Sequence, residues 1–301
     1  MHKIYFIILL IGLFSACIEV VDLDVEETPQ ELVVNCFFTE GQPFVVNVSR
    51  LAAYPDLTDR NLEDATVSIY ENDILKGTLK HTENGIYTRN SISPTYGNMY
   101  SIKVEVPGYP TATASDTIPE KVSIQECNYR QNAGVDEEGD PYGEIITSFT
   151  DHPNVKYYSI QIYSRWEKPL YDQNGYPAGS EVIWYPIEQT SFDPVIIAEG
   201  ITKNDYCTYF VFNDALFFNR NYKLTVNASS EYESNDKLKV LLETGTANYY
   251  QYRKRLLKHE PYSYEDPFKP YSPVPLYSNV SGGQGIFAGY QRDIYYLNFS
   301  E

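Results

Sequence analysis

Beyond residue 2 the chain contains three histidines, His81, His152 and His259, and none stands in an H-E-x-x-H or C-x-x-C setting. Those spacings are what put two ligands on one side of a zinc ion, so no metal site is expected. No G-x-S-x-G nucleophile elbow occurs. Paired carboxylates of the glycosidase type leave no spacing signal, and the 41 acidic residues keep that chemistry formally open. Gly283-Gln284-Gly285-Ile286-Phe287-Ala288 matches G-x-G-x-x-A, but only 13 residues follow Ala288. That leaves no room for the helix, second strand and ribose-binding acid of a dinucleotide fold, so these glycines read as a tight turn or bulge before a last strand. Two loops, Asp136-Glu137-Glu138-Gly139-Asp140 and Tyr171-Asp172-Gln173-Asn174-Gly175-Tyr176-Pro177, offer the oxygen donors that hard cations take. Neither has the spaced D-x-[DN]-x-[DN]-G pattern, and both read as hairpin tips. The chain is expected to be non-enzymatic, with no cofactor.

The chemistry that the spacing does support is covalent attachment to lipid. Met1-His2-Lys3 precedes an unbroken apolar run of 11 residues, Ile4 to Phe14. This is the layout of a secretory signal, and it is too short to cross a bilayer, which takes about 20 residues. Ser15-Ala16 directly before Cys17 resembles the lipobox of bacterial lipoproteins, whose cysteine is acylated and becomes the new N-terminus. Each buried methylene contributes roughly 0.8 kcal/mol and stable anchoring takes more than one chain, so a multiply acylated Cys17 would hold the protein permanently. Three further cysteines remain. Cys36 falls in phase with Leu32, Val34 and Phe38 and reads as a core residue. Cys127 and Cys207 are a possible disulfide in an oxidising compartment.

Binding chemistry is suggested by aromatics. Tyrosine is the outlier of the composition, with 29 residues against 2 Trp and 2 Met. Trp166, Trp184, Tyr171 and Tyr176 lie in or beside the longest polar insertion and are the candidate ligand-binding residues for a carbohydrate or peptide; packing on a strand surface is the alternative.

The elements that must position these residues are strands. Residues 1–16 are read as the signal peptide and 17–30, with Glu19, Asp22, Asp24, Glu26 and Glu27, as an acidic tether. From Glu31 the apolar residues alternate: Phe44, Val46 and Val48; Ala65, Val67 and Ile69; Tyr100, Ile102, Val104 and Val106. Period 2 places one set in a core, and a boundary near Ile118-Pro119 gives a 31–118 sandwich. A second β-rich region, 119–301, shows the same pattern at Tyr158, Ile160 and Ile162 and at Tyr222, Leu224, Val226 and Ala228. Tyr100 and Tyr222 both follow a turn, where a tyrosine corner ties the hydroxyl to nearby backbone. One helix is expected near 246–259, its C-terminal half carrying Arg253, Lys254, Arg255 and Lys258 as the macrodipole favours. The expected fold is mainly β, with tandem immunoglobulin-like or fibronectin-like β-sandwich modules and one short C-terminal helix.

The formal charge is −18, and −19 once residues 1–16 with Lys3 are removed. Nucleic acid is not an expected partner, because its binders carry a basic stripe. The Cys-x-Glu-Val-Val-Asp-Leu-Asp start, Glu31-Leu32-Val33-Val34, Asp64-Ala65-Thr66-Val67, Pro107-Gly108-Tyr109, Asn213-Asp214-Ala215-Leu216-Phe217 and the Tyr277-Ser278-Asn279-Val280-Ser281-Gly282-Gly283-Gln284-Gly285-Ile286-Phe287 ending resemble the Bacteroidota lipoproteins grouped as domain-of-unknown-function family 4249. The resemblance implies an outer-membrane lipoprotein, lipid-anchored at Cys17 and encoded beside a TonB-dependent receptor; the acidic cluster after Cys17 resembles the signal that sends such lipoproteins to the outer face, so the protein is expected to face the cell exterior. It implies no catalytic residues. The function expected is that of an accessory or ligand-capture subunit of a TonB-dependent nutrient transporter, with an independent carbohydrate- or peptide-binding module or an envelope adhesion or scaffold protein as alternatives.

Overall fold

Two alternating patterns build two cores. The computed structural model describes residues 31–51, 60–136, 138–202, 205–229, 237–258 and 275–298. The signal segment, Cys17, the tether and the expected end of the helix at His259 lie outside the described residues. In the first core, β1 (Leu32–Phe38) and β2 (Val45–Arg50) bury Leu32, Val34, Cys36, Phe38, Val46 and Val48. They face a four-stranded sheet made by β3 (Thr66–Glu71), β4 (Ile74–Thr78), β7 (Met99–Glu105) and β8 (Ala112–Thr117), in the order β4-β3-β7-β8. The short β5 (Lys80–His81) and β6 (Ile86–Thr88) extend the β2 side. Tyr100 does form a corner: its hydroxyl accepts from Thr95 N at 2.9 Å and donates to Glu71 Oε1 at 2.5 Å.

In the second core, β9 (Ile124–Val135), β10 (Pro141–Thr150) and β14 (Asn221–Ser229) form a three-stranded sheet. It packs on β11 (Tyr157–Tyr171), β13 (Tyr209–Asn213) and β15 (Lys237–Gly245) through Phe149, Tyr158, Phe212 and Phe217. β12 (Pro177–Pro186) pairs with the distal part of β11. A short α1 (Pro194–Ile197), not expected from the sequence, is capped by Asp193. α2 (Ala247–Leu257) lies within the expected helix, with Thr246 as its N-cap.

The last strand joins the two cores. β16 (Gly283–Asn298) runs parallel to β1 from Gly283 to Gly289 and then antiparallel to β15. A nine-stranded sheet ordered β12-β11-β15-β16-β1-β2-β6-β5, with β13 on β11, therefore crosses both modules. The sequence assigned all of 119–301 to the second region, whereas Val280 and Phe287 are buried in the first core. Phe287 lies 4.6 Å from Phe38, ring centre to ring centre. Gly283 and Gly285 allow the close approach, since a Cβ on either would meet the carbonyl oxygens of Leu32 and Val34; Gly285 also has φ +117°.

Four of the 29 tyrosines serve buried carboxylates. Tyr158 donates to Asp151, Tyr222 to Asp193 at 2.5 Å, Tyr249 to Glu243 and Tyr250 to Glu199. A charge taken from water needs such partners. Tyr222 thus bonds a distant side chain and not the neighbouring backbone expected of a corner. The cations of α2 are likewise used within the molecule: Lys254 reaches Glu199 at 2.5 Å and the Arg253 guanidinium lies 3.6 Å from the Tyr209 ring centre.

Candidate functional site

The ladder between β11 and β15 ends at Ser164–Leu238, but β11 continues to Tyr171 and returns through β12. Among the described residues, 165–186 thus form a two-stranded arm beyond the second core. At ~3.3 Å per residue its 165–171 strand projects about 23 Å. The tip is closed by Asp172, whose Oδ1 accepts from Asn174 N at 2.8 Å and Tyr176 N at 2.9 Å while Gly175 takes φ 82°. The Asp136 loop has the same device, with Oδ1 accepting from Glu138 N at 3.0 Å and Asp140 N at 2.8 Å. Both insertions are hairpin tips, as their composition suggests. Asp136, Glu138 and Asp140 bring one carboxylate oxygen each within 4.8 Å of one another, but the Asp136 oxygen is already held by backbone.

All four candidate aromatics lie on the arm, and it separates them. Arg165 stands opposite Trp184 and Trp166 opposite Ile183, so with a two-residue period Trp166 and Trp184 point to opposite faces. Trp166, 46% exposed, packs on Tyr185 at 5.9 Å. Tyr171 and Tyr176 are exposed at the tip.

Trp184 instead joins a group on the outer face that sequence reasoning missed. Tyr163, Lys239 and Tyr296 form one cross-strand row. Trp184 lies 5.8 Å from Tyr296, and the Lys239 ammonium is 4.5 Å from the Tyr163 ring centre and 4.8 Å from that of Trp184. Burial, and then the charge of Arg292, hold this lysine below the ordinary ammonium value. The ammonium lies over the Tyr163 and Trp184 rings, so the group presents a cation beside the exposed Tyr296 ring, which suits a sugar-like ligand with an anionic group. Alternation marks all of these positions as strand residues, but no local signal gives the register that aligns residues 163, 239 and 296.

Two grooves lie elsewhere. One of about 470 Å³ is lined by Val33, Asn35, Tyr252, Leu276, Tyr277 and Gln284. The other, of about 570 Å³, crosses β7 and β8 beside Tyr70, Ser101, Lys103 and Thr113. The pairing left open for Cys127 and Cys207 is not made: both are buried, no disulfide joins them, and Cys127 Sγ lies 3.7 Å from Thr147 Oγ1. Burial pushes the Cys127 thiol up to about 11 and that of Cys36 to about 12.

Residues 18–294 match the family described as "Domain of unknown function (DUF4249)". No curated protein matches. Among solved structures, a β-glucuronidase from glycoside hydrolase family 2 is 11% identical, with TM-score 0.22, over 71% of this chain and 18% of that one. A DUF4785 family protein from Legionella pneumophila is 9% identical, with TM-score 0.23, over 71% of this chain and 52% of that one. A putative membrane anchored protein from Corynebacterium diphtheriae is 10% identical, with TM-score 0.24, over 73% and 55%. The chain thus spans about half or less of the length of these structures.

Proposed function

This chain belongs to domain-of-unknown-function family 4249, and on that footing we propose that it is a non-enzymatic, lipid-anchored outer-membrane protein facing the cell exterior. In this reading it acts as an accessory or ligand-capture subunit of a TonB-dependent nutrient transporter. The observation that carries the reading is the position of the aromatic arm relative to the start of β1, the described strand that follows Cys17 in the sequence. Cys17 precedes β1, and β1 starts level with Gly283 at the beginning of β16. The strands β11 and β16 run in the same direction, both being antiparallel to β15, so the arm leaves the sheet at the far end of β16. Sixteen residues of β16 at ~3.3 Å each put about 50 Å between the two ends, and the arm adds about 23 Å.

Exposed aromatics at the end opposite the start of β1 suit a protein that reaches outward from a lipid attached ahead of β1, the lipid keeping it at high effective concentration beside a barrel. The non-enzymatic part of the reading is supported by the buried acids. Asp151, Asp193, Glu199 and Glu243 are each occupied by hydroxyl, backbone, guanidinium or ammonium partners. Co-purification with a TonB-dependent barrel tests the accessory role.

The platform of Trp184, Tyr296 and Lys239 favours a second reading, direct recognition of a carbohydrate or peptide. A glycan-binding assay in which Trp184→Ala loses affinity while the melting temperature holds would support it.

A further inference from the structure

Two-residue alternation puts Tyr163 and Arg165 of β11, Lys237 and Lys239 of β15, and Arg292 and Tyr296 of β16 on the outer face of the second module. Cations gathered on one face stand out in a chain of formal charge −18. Two of them are neutralised within the molecule, Arg165 by Glu167 at 2.5 Å and Arg292 by Glu243 at 2.5 Å. The two lysines are not. Among the described residues no acid pairs with Lys237 or Lys239, and no oxygen accepts from the Lys239 ammonium.

Lys239 is partly buried, and its three donors meet the ring faces of Tyr163 and Trp184. Burial, and then the charge of Arg292, disfavour the ammonium. Glu243, two rows along the same face, is held by Tyr249 and Arg292 and does not serve it. An anion arriving from solution would offset both penalties.

The surroundings say what should carry that anion. Trp184 touches both the ammonium and Tyr296, so cation and ring stand side by side. Tyr296 is 56% exposed, and Ile294, two residues back on the same face, is 45% exposed. The backbone of Tyr163 and Lys239 is paired on both sides, so recognition here falls to side chains and not to strand addition. A C–H face that stacks on an aromatic ring, with one carboxylate beside it, is the chemistry of a uronic acid. A densely sulfated chain is disfavoured, because the net charge of −18 repels each anion beyond those the two lysines meet.

We propose that this face binds a uronic-acid saccharide, with the C–H face of one sugar on Tyr296 and its carboxylate on Lys239. Lys237, about 7 Å along β15, is placed for a further carboxylate of an oligomer. The proposal rests on the carbohydrate reading of the platform and specifies the charge of the sugar.

The test is calorimetric titration of the purified protein with trisaccharides of galacturonic, glucuronic and mannuronic acid, each set against its methyl ester. The ester keeps the ring and removes the charge. At least one free acid should bind about tenfold more tightly than its ester, the effect of one charge-assisted hydrogen bond. Lys239→Met keeps an aliphatic stem across the rings and should abolish that preference while leaving ester affinity and melting temperature unchanged. Tyr296→Ala should weaken acid and ester alike. The ratio of acid to ester in the wild type decides the matter without any variant. Equal binding of acid and ester, a preference that survives Lys239→Met, or binding of a neutral or sulfated glycan in place of every uronate overturns the proposal and leaves the carbohydrate reading standing. No binding of any glycan overturns both.

Discussion

The side chain of Asn279 is bonded to both backbone polar groups of Phe287: Nδ2 donates to Phe287 O at 2.8 Å, and Phe287 N donates to Oδ1 at 2.9 Å. The amide stands where a neighbouring strand would, at the point where β16 carries Phe287 into the first core. The Ser-Asn-x-x-x-Gly-x-Gly-x-Phe ending is therefore a structural device. It ties the last strand to the first.

Removing that amide leaves two polar groups of a buried residue without partners. Asn279→Ala should lower stability by about 2 kcal/mol, measured as the urea midpoint. Gly285→Ala should cost more, because the added methyl meets the Val34 carbonyl oxygen at a φ of +117°. An unchanged midpoint in both variants would contradict the account of β16 as the strand that completes the first core.

The alternating strands were legible because burial on one face writes period 2 into the chain, as at Tyr158, Ile160 and Ile162. The helix was legible from its spacing and its cations. The pairing of β1 with β16 was not, because a parallel ladder between residues some 250 apart leaves no local mark. The candidate aromatics all lie on one insertion, yet register decides which face each takes, and a one-residue difference sends Trp166 and Trp184 apart.

Alkali should unfold this protein steeply. Burial raises Tyr158 and Tyr249 far above the ordinary phenol value, and Asp151 and Glu243 add to the rise. The folded state therefore keeps protons that the unfolded chain releases near pH ~10. Stability from these groups is intact below that pH and falls as pH rises above it, by about 1.4 kcal/mol per unit for each tyrosine. Urea midpoints between pH 9 and 11, values set near that ~10 reference, check this. A flat profile would contradict the burial of these hydroxyls.

Cys36, Cys127 and Cys207 are buried, and burial raises the proton affinity of the Cys36 and Cys127 thiols. Iodoacetamide near neutral pH should leave all three unmodified in the native protein and alkylate all three in urea. Mass spectrometry reads the difference. A Cys127–Cys207 peptide pair found without reduction would show that the disulfide forms after all.

Both tryptophans of the chain, Trp166 and Trp184, lie on the arm. Intrinsic tryptophan emission is thus a reporter of the arm alone. Acrylamide should quench Trp166, seen in Trp184→Phe, more strongly than Trp184, seen in Trp166→Phe, because Trp184 is covered by Lys239 and Tyr296. A ligand on the outer face should shift the emission of Trp184 and leave that of Trp166 in place.

The proposed function has a lipid anchor at Cys17 and a TonB-dependent barrel as the partner. The direct measurement is a pull-down of the lipidated protein from detergent-solubilised outer membrane, with Cys17→Ala as control and partners read by mass spectrometry. The account predicts a TonB-dependent barrel in stoichiometric amount with the wild type, and its loss in the control. A lipidated, surface-exposed protein that brings down no barrel would contradict it and leave independent binding or scaffolding as the better description.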